Sequence, residues 1–218
     1  MSLKLVIFDV DGTLVDSQAD ILACMAQAFA AQDRAPPPRE DVLGIVGLSL
    51  PQAMELLAPG ADVPRLVRDY KAAFAAQRQA KAHSAVLYPG ARETITALHD
   101  EPDFLLSMAT GKSRRGLNAL LVEHALGPYF VSTQVAGTHP SKPHPSMLLA
   151  ALDETGVEAR EAVMVGDTTF DRDMARSAGV HFVGDSWGYH TASSLGDVVI
   201  DEFSALRPAL ARLWGEGA

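Results

Sequence analysis

The sequence predicts an α/β fold in which a parallel sheet is covered by helices on both faces and interrupted early by a helical insert. Three observations predict it. Short apolar runs alternate with stretches of helical periodicity along most of the chain. Residues 16–84 break that alternation with Ala-, Leu- and Gln-rich helical sequence and no good strand. Acidic, hydroxyl and basic residues fall where the apolar runs stop, and ligands bind at those strand ends in parallel sheets.

Taken in order, Leu3 to Phe8 reads as a buried strand that ends on Asp9-Val10-Asp11-Gly12-Thr13. Ala19 to Ala31 reads as a helix stopped by the "APPP" of residues 35–38. Ala53 to Leu57 and Arg65 to Ala80 read as further helices, the second with Leu66, Val67, Tyr70 and Phe74 on one stripe. The stretch is too long for a loop, so 16–84 is expected to form a small domain of its own, leaving 1–15 and 85–218 as the main one. After it come helices at Ala91 to His99, Arg114 to Leu126, Ser146 to Leu152 and Asp171 to Ala178. Strands are expected at Phe104 to Ala109, Val131 to Val135, Ala162 to Val165 and His181 to Val183, with a sixth at Val198 to Ile200. Gly127, Gly156 and Gly179 stand where helices should stop.

Composition narrows the function classes. The chain has 218 residues, 48% of them hydrophobic, so a substantial core is available. Its formal charge is −9 with no basic run, which argues against nucleic acid and acidic membrane surfaces as partners. Cys24 is the single cysteine, which excludes an internal disulfide and a Cys-rich metal site; it reads as a small buried helix residue. No signal-peptide pattern and no apolar run of about 20 residues is present, so a cytoplasmic location is expected.

The chemistry sits at the strand ends. Two carboxylates one residue apart beside a core cost free energy unless a cation, or a reaction that needs both, compensates them. Asp9 and Asp11 are that pair. The second strand ends on Thr110-Gly111-Lys112, the fourth on Gly166-Asp167 with Asp171 four residues on, and a loop before the Ser146 helix offers Lys142. Each alone has a plain reading as a helix cap, a turn residue or a solvated charge. Their common placement at strand ends makes a site of them. His139 and His144 flank Lys142 but lack the partner set of a zinc site. Trp187, Tyr189 and His190 are expected to pack a loop beside the site, and the seven methionines to fill core.

"DVDGT", the threonine of "ATGK", the lysine of "KPHP" and "GDTTFD" resemble, in order, the four motifs of the haloacid dehalogenase-like hydrolases. "DGTLVDS" and "VGLSLPQAM" look most like the phosphoglycolate phosphatase and β-phosphoglucomutase branch. The resemblance implies a Rossmann-like parallel sheet core flanked by helices, with an inserted small α-helical cap domain. It implies a Mg²⁺-dependent phosphatase acting on a small phosphorylated metabolite, as a monomer or homodimer. Asp9 would attack phosphorus, ionised at its ordinary pKa of about 3.9. Asp11 would move protons to the leaving alcohol and from water. Mg²⁺ ligands would come from the Asp9 carboxylate, the Asp11 backbone carbonyl and Asp167, with Asp171 orienting a metal water or Lys142. Thr110, Gly111 and Lys142 would hold phosphoryl oxygens.

The insert is expected to close as a lid and choose the leaving group. Gly44, Gly47 and Ser49 fit a loop facing substrate, and Arg65, Arg68, Lys71 and Arg78 share one helix from which a second anionic group is reachable. Gly47, Ser49 and Lys71 are the expected specificity residues. A phosphomutase is the nearest alternative, and a haloacid dehalogenase a weaker one because that chemistry needs no second acid. A response-regulator receiver would be shorter and carry no insert.

Overall fold

The structure is a computed structural model that describes residues 3–80 and 85–215. The last residues of the expected insert, 81–84, lie outside the described residues.

β1 (Lys4–Phe8) is the middle of the molecule. Leu5 and Ile7 face one core cluster and Val6 and Phe8 the other, as side chains alternate along a strand. Both faces are covered, which is why the run is apolar without a break. β4 (Phe104–Ser113), β5 (Ser132–Ala136), β6 (Ala162–Gly166), β7 (His181–Asp185) and β8 (Val199–Ile200) complete a six-stranded parallel sheet of order β5-β4-β1-β6-β7-β8. The chain leaves β1 toward β4 and β5 on one side and returns to lay β6, β7 and β8 on the other. The reversal opens a crevice at the carboxyl end of β1, between β4 and β6. α5 (Ala91–Asp100) and α10 (Leu206–Leu213) pack Ile95, Leu98, Leu206 and Leu210 on one face. α7 (Ser146–Thr155) and α8 (Thr169–Ala178) pack Met147, Leu148 and Met174 on the other. α6 (Arg114–Glu123) follows β4, and short α9 (Ala192–Leu195) lies between β7 and β8.

Between β1 and β4 the chain forms a two-stranded antiparallel pair, β2 (Val15–Asp16) and β3 (Val86–Leu87). Four helices lie between these strands: α1 (Gln18–Ala30), α2 (Arg39–Gly44), α3 (Leu50–Leu57) and α4 (Val63–Gln79). They bury a cluster of their own, built on Ile21, Met25, Phe29, Val42, Met54 and Leu66.

Several elements differ from the sequence expectation. β2 and β3 are absent from it because two residues show no alternation. β4 continues through Ser113, past the expected end at Ala109, with a register shift against β5 between Thr110 and Ser113. Polar residues extend this strand because the bulge turns their side chains toward the crevice. α6 stops at Glu123 rather than Leu126, with Ala125 at φ +50°. α2 is too short to show periodicity, whereas α10, absent from the expectation, carries Leu206, Ala209, Leu210 and Leu213 on one stripe. Among the described residues no helix is long and apolar enough to cross a membrane.

Candidate active site

Asp9 leaves the end of β1 with its amide held by Val165 O at 2.9 Å, and its side chain is only 1% exposed. The chain then turns on Gly12, at φ +93°, where a Cβ would lie 2.3 Å from Asp167 Oδ2. Only glycine fits there, and the turn separates the directions of Asp9 and Asp11. β6 delivers Asp167 at its end. Asp171 is fixed by a capping box at the start of α8, exchanging hydrogen bonds with Thr168.

These elements bring Asp9, Asp167 and Asp171 together, with one oxygen of each within 4.8 Å of the others. Lys142 is fully buried among them. Its Nζ donates to Asp171 Oδ1 at 2.6 Å and stands 2.8 Å from Asp9 Oδ1. That second contact is a buried charge pair between Lys142 and Asp9. Burial lowers the basicity of Lys142, but Asp171 and Asp9 outweigh it and hold the ammonium charged.

Burial pushes Asp9 up to about 7, against the pull of Lys142 and with the push of Asp171. The ordinary value belongs to a solvated carboxyl, and this one is desolvated, which disfavours its charged form. Asp167 is raised too, by burial and then by its neighbour Asp185. Were these buried acids all ionised, they would carry more negative charge than the one buried lysine offsets. An all-oxygen set of this kind fits a hard divalent cation such as Mg²⁺. Both oxygens of Asp171 are already committed, to Lys142 and Thr168, and Asp9 is the member of the cluster that meets the cavity.

The carboxylate of Asp11 is outside this trio. Lys112 Nζ donates to both its oxygens, at 2.8 and 2.9 Å, and Ser17 Oγ donates to Oδ1 at 2.6 Å. Ser17 Oγ in turn lies 3.1 Å from Tyr189 OH. Neither Lys112 nor Ser17 has a role in the sequence reading, although both stand inside the quoted motifs. Thr13 Oγ1 lies 2.9 Å from Asp185 Oδ2 and 3.2 Å from Asp167 Oδ1. One hydroxyl proton thus faces two buried carboxyls and can serve only one at a time. Asp185 is raised by burial, against the hydrogen bond from Thr13. It is a residue the sequence reading missed, and its place at the end of β7 was the signal for it. Tyr189 N donates to Asp167 Oδ2 at 2.8 Å, and Trp187 Nε1 donates to Thr13 O at 3.1 Å, so this loop supports the acids directly.

A cavity of ≈ 1070 Å³ lies between the strand ends and the helices of residues 18–79. Asp9, Asp11, Thr110, Gly111 and Lys112 line its floor, and Gly47, Ser49 and Lys71 border it from the helical side. Lys142, Asp167 and Asp171 do not line it, so Asp9 alone of the buried cluster meets the cavity. The helical side touches the core: a Cβ on Gly111 would lie 2.6 Å from Gly47 O and 2.7 Å from Leu48 O, and Ser49 N donates to Ser141 Oγ at 2.7 Å.

The other residues singled out in the sequence fall in several places. Gly44 closes α2 and offers its carbonyl to His190 Nε2 at 3.3 Å, away from the cavity. Arg65 pairs with Asp69 at 3.8 Å, and neither Arg65 nor Arg68 borders the cavity, because their helix turns that face outward; Arg78 does border it. His139 bonds Ser146 Oγ and Gln134 Oε1, at 2.8 and 2.9 Å, and His144 Nδ1 accepts from Ser146 N at the start of α7. Cys24 is buried and donates to Gln77 Oε1 at 3.2 Å, and burial pushes its thiol up to about 12.

The chain is similar to known proteins over most of its length. The family described as "Haloacid dehalogenase-like hydrolase" matches residues 6–184. A probable phosphatase, IndB, from Dickeya dadantii is 36% identical over 210 residues, covering 92% of this chain and 90% of its own. A phosphoglycolate phosphatase from Agrobacterium fabrum is 32% identical over 217 residues, covering 94% and 91%. Among solved structures, a haloacid dehalogenase-like hydrolase from Streptococcus pneumoniae superimposes with a TM-score of 0.83 at 20% identity, covering 94% of this chain and 97% of its own.

Proposed function

The chain belongs to the haloacid dehalogenase-like hydrolase family, and on that premise we propose that it is a Mg²⁺-dependent phosphatase of small phosphate monoesters, working through a phosphoryl group carried on Asp9. One observation carries the reading. Asp9 sits at the cavity floor, 2.8 Å from the ammonium of a buried lysine, while the carboxylate of Asp11 is held apart.

An oxygen of Asp9 attacks phosphorus, and the bond from phosphorus to the ester oxygen breaks. Asp11 gives the leaving alkoxide its proton. Asp11 then takes a proton from water as that water attacks phosphorus. The bond to Asp9 breaks and inorganic phosphate leaves. The Thr110 hydroxyl and the Gly111 amide hold phosphoryl oxygens, and Lys142 offsets charge on Asp9 and on the phosphate. Mg²⁺ held by Asp9, Asp167 and the Asp11 carbonyl would keep Asp9 ionised and neutralise the phosphoryl charge. In this reading residues 16–84 are a cap over a core of 1–15 and 85–218, excluding water once the ester is placed.

The test is phosphate release from a panel of phosphorylated metabolites, with and without Mg²⁺ and without any bisphosphate activator. Asp9→Asn is expected to keep its circular dichroism and lose turnover by at least about a thousandfold. Retained turnover in a folded Asp9→Asn would remove the nucleophile. Phosphate release that requires a bisphosphate would turn the reading to a mutase.

A further inference from the structure

The cavity is large and much of its wall is apolar. Its ≈ 1070 Å³ lies just above the range of about 300–1,000 Å³ that encloses drug-sized ligands. That volume does not come from a cap swung away, because Gly47 and Leu48 are in backbone contact with Gly111 and Ser49 is hydrogen-bonded to Ser141. Ile21 and Met25 of α1, Leu48 and Leu50 at the start of α3, and Tyr70 and Phe74 of α4 form its walls. The Tyr70 and Phe74 rings lie nearly parallel, 16° apart in plane with centroids 6.4 Å apart.

The cations are placed badly for a very small acid. In 2-phosphoglycolate the carboxylate follows the ester oxygen by two bonds, so it stays near the floor. Lys112 is the cation lining that floor, and both oxygens of Asp11 already engage it. Lys71, Arg78 and Arg115 also border the cavity, but all three are exposed at its rim, where water screens them.

We propose that the substrate is a phosphate monoester whose alcohol carries a flat, largely apolar ring lying against Tyr70 and Phe74, and not a two-carbon acid. The proposal rests on the phosphatase reading for its chemistry and on the cavity walls for its specificity. Contacts made by the remote ring are binding energy available to the transition state, so they raise kcat/KM. Differences of a single methylene in an apolar pocket are already worth about 10–200-fold, and a ring offers more surface than that.

The experiment compares alkyl esters, so that the leaving oxygens are chemically alike: 2-phenylethyl phosphate, ethyl phosphate and 2-phosphoglycolate, with the full chain and Mg²⁺. The expected kcat/KM for 2-phenylethyl phosphate exceeds that for 2-phosphoglycolate by more than about tenfold. Phe74→Ala is expected to cut the ratio of 2-phenylethyl to ethyl phosphate by about tenfold. A smaller margin over 2-phosphoglycolate, or a ratio unmoved by Phe74→Ala, overturns the proposal. Calorimetric binding of 3-phenylpropylphosphonate against 3-phosphonopropionate separates this from the phosphatase reading. If no ester is turned over, the phosphatase reading fails alone provided the phenyl phosphonate binds more than about tenfold tighter. Equal or weaker binding of the phenyl phosphonate ends the ring proposal as well.

Discussion

Lys112 holds both oxygens of Asp11, at 2.8 and 2.9 Å, while its ammonium stands 5.5 Å over the ring of Phe74. The end of β1, the bulge of β4 and helix α4 therefore meet at one charge. Lys112 fixes where the Asp11 carboxylate points and keeps it from joining the buried acids. Lys112→Met is expected to lower kcat by about 10–100-fold with KM little changed, since it misplaces a proton donor and leaves the phosphate contacts alone. Steady-state kinetics on one ester checks this; a raised KM with kcat intact would make Lys112 a binding residue.

The acids predict a pH dependence of stability with a definite sign. Burial holds Asp9 up at about 7 in the fold, against the ordinary 3.8 of a solvated aspartate. Between those values the unfolded chain releases a proton that the folded chain keeps, so stability falls as pH rises through that window. Asp167 and Asp185, both raised by burial, act in the same direction. Metal-free protein is expected to melt at a lower temperature at about pH 8 than at about pH 5, as far as these groups decide it. Mg²⁺ should raise Tm more at the higher pH, because it binds the ionised carboxylates. Thermal melts with chelator and with Mg²⁺ read both effects, and a Mg²⁺ shift that is larger in acid would contradict the assignment.

Thr13 bridges Asp167 and Asp185 through one hydroxyl. Thr13→Val keeps the shape and removes the donor. It is expected to weaken Mg²⁺ binding by about tenfold, the usual cost of losing an outer-shell partner, and to destabilise the fold by about 1–3 kcal/mol. Calorimetric Mg²⁺ titration and urea denaturation measure the two separately.

Gly111 is where the core meets the loop after α2. A methyl there would press on two backbone carbonyls, Gly47 O and Leu48 O, which cannot rotate away as a side chain would. Gly111→Ala is expected to lift that loop, lowering kcat/KM by about tenfold and stability by about 1–3 kcal/mol. Unchanged kinetics would show that the loop closes without this contact.

The main strands and most of the helices were legible in the sequence, because a strand buried on both faces must be continuously apolar and a packed helix must carry a stripe. Asp9, Thr110, Lys142, Asp167 and Asp171 were legible as a group because strand ends in a parallel sheet share one edge. β2, β3 and α2 escaped because so few residues leave no period. Asp185 escaped because a lone acid after a short strand resembles a turn residue.

By itself the sequence determined the layered α/β core and the chemical character of the edge where its strands end, since both follow from local patterns of apolar and polar residues. The tertiary structure alone decided that Lys112 pairs with Asp11, that Thr13 stands between two buried acids, that Asp9 is desolvated enough to titrate at about 7, and how wide and apolar the cavity is. These depend on side-chain directions and exclusion of water among residues up to 172 positions apart, which no local period records.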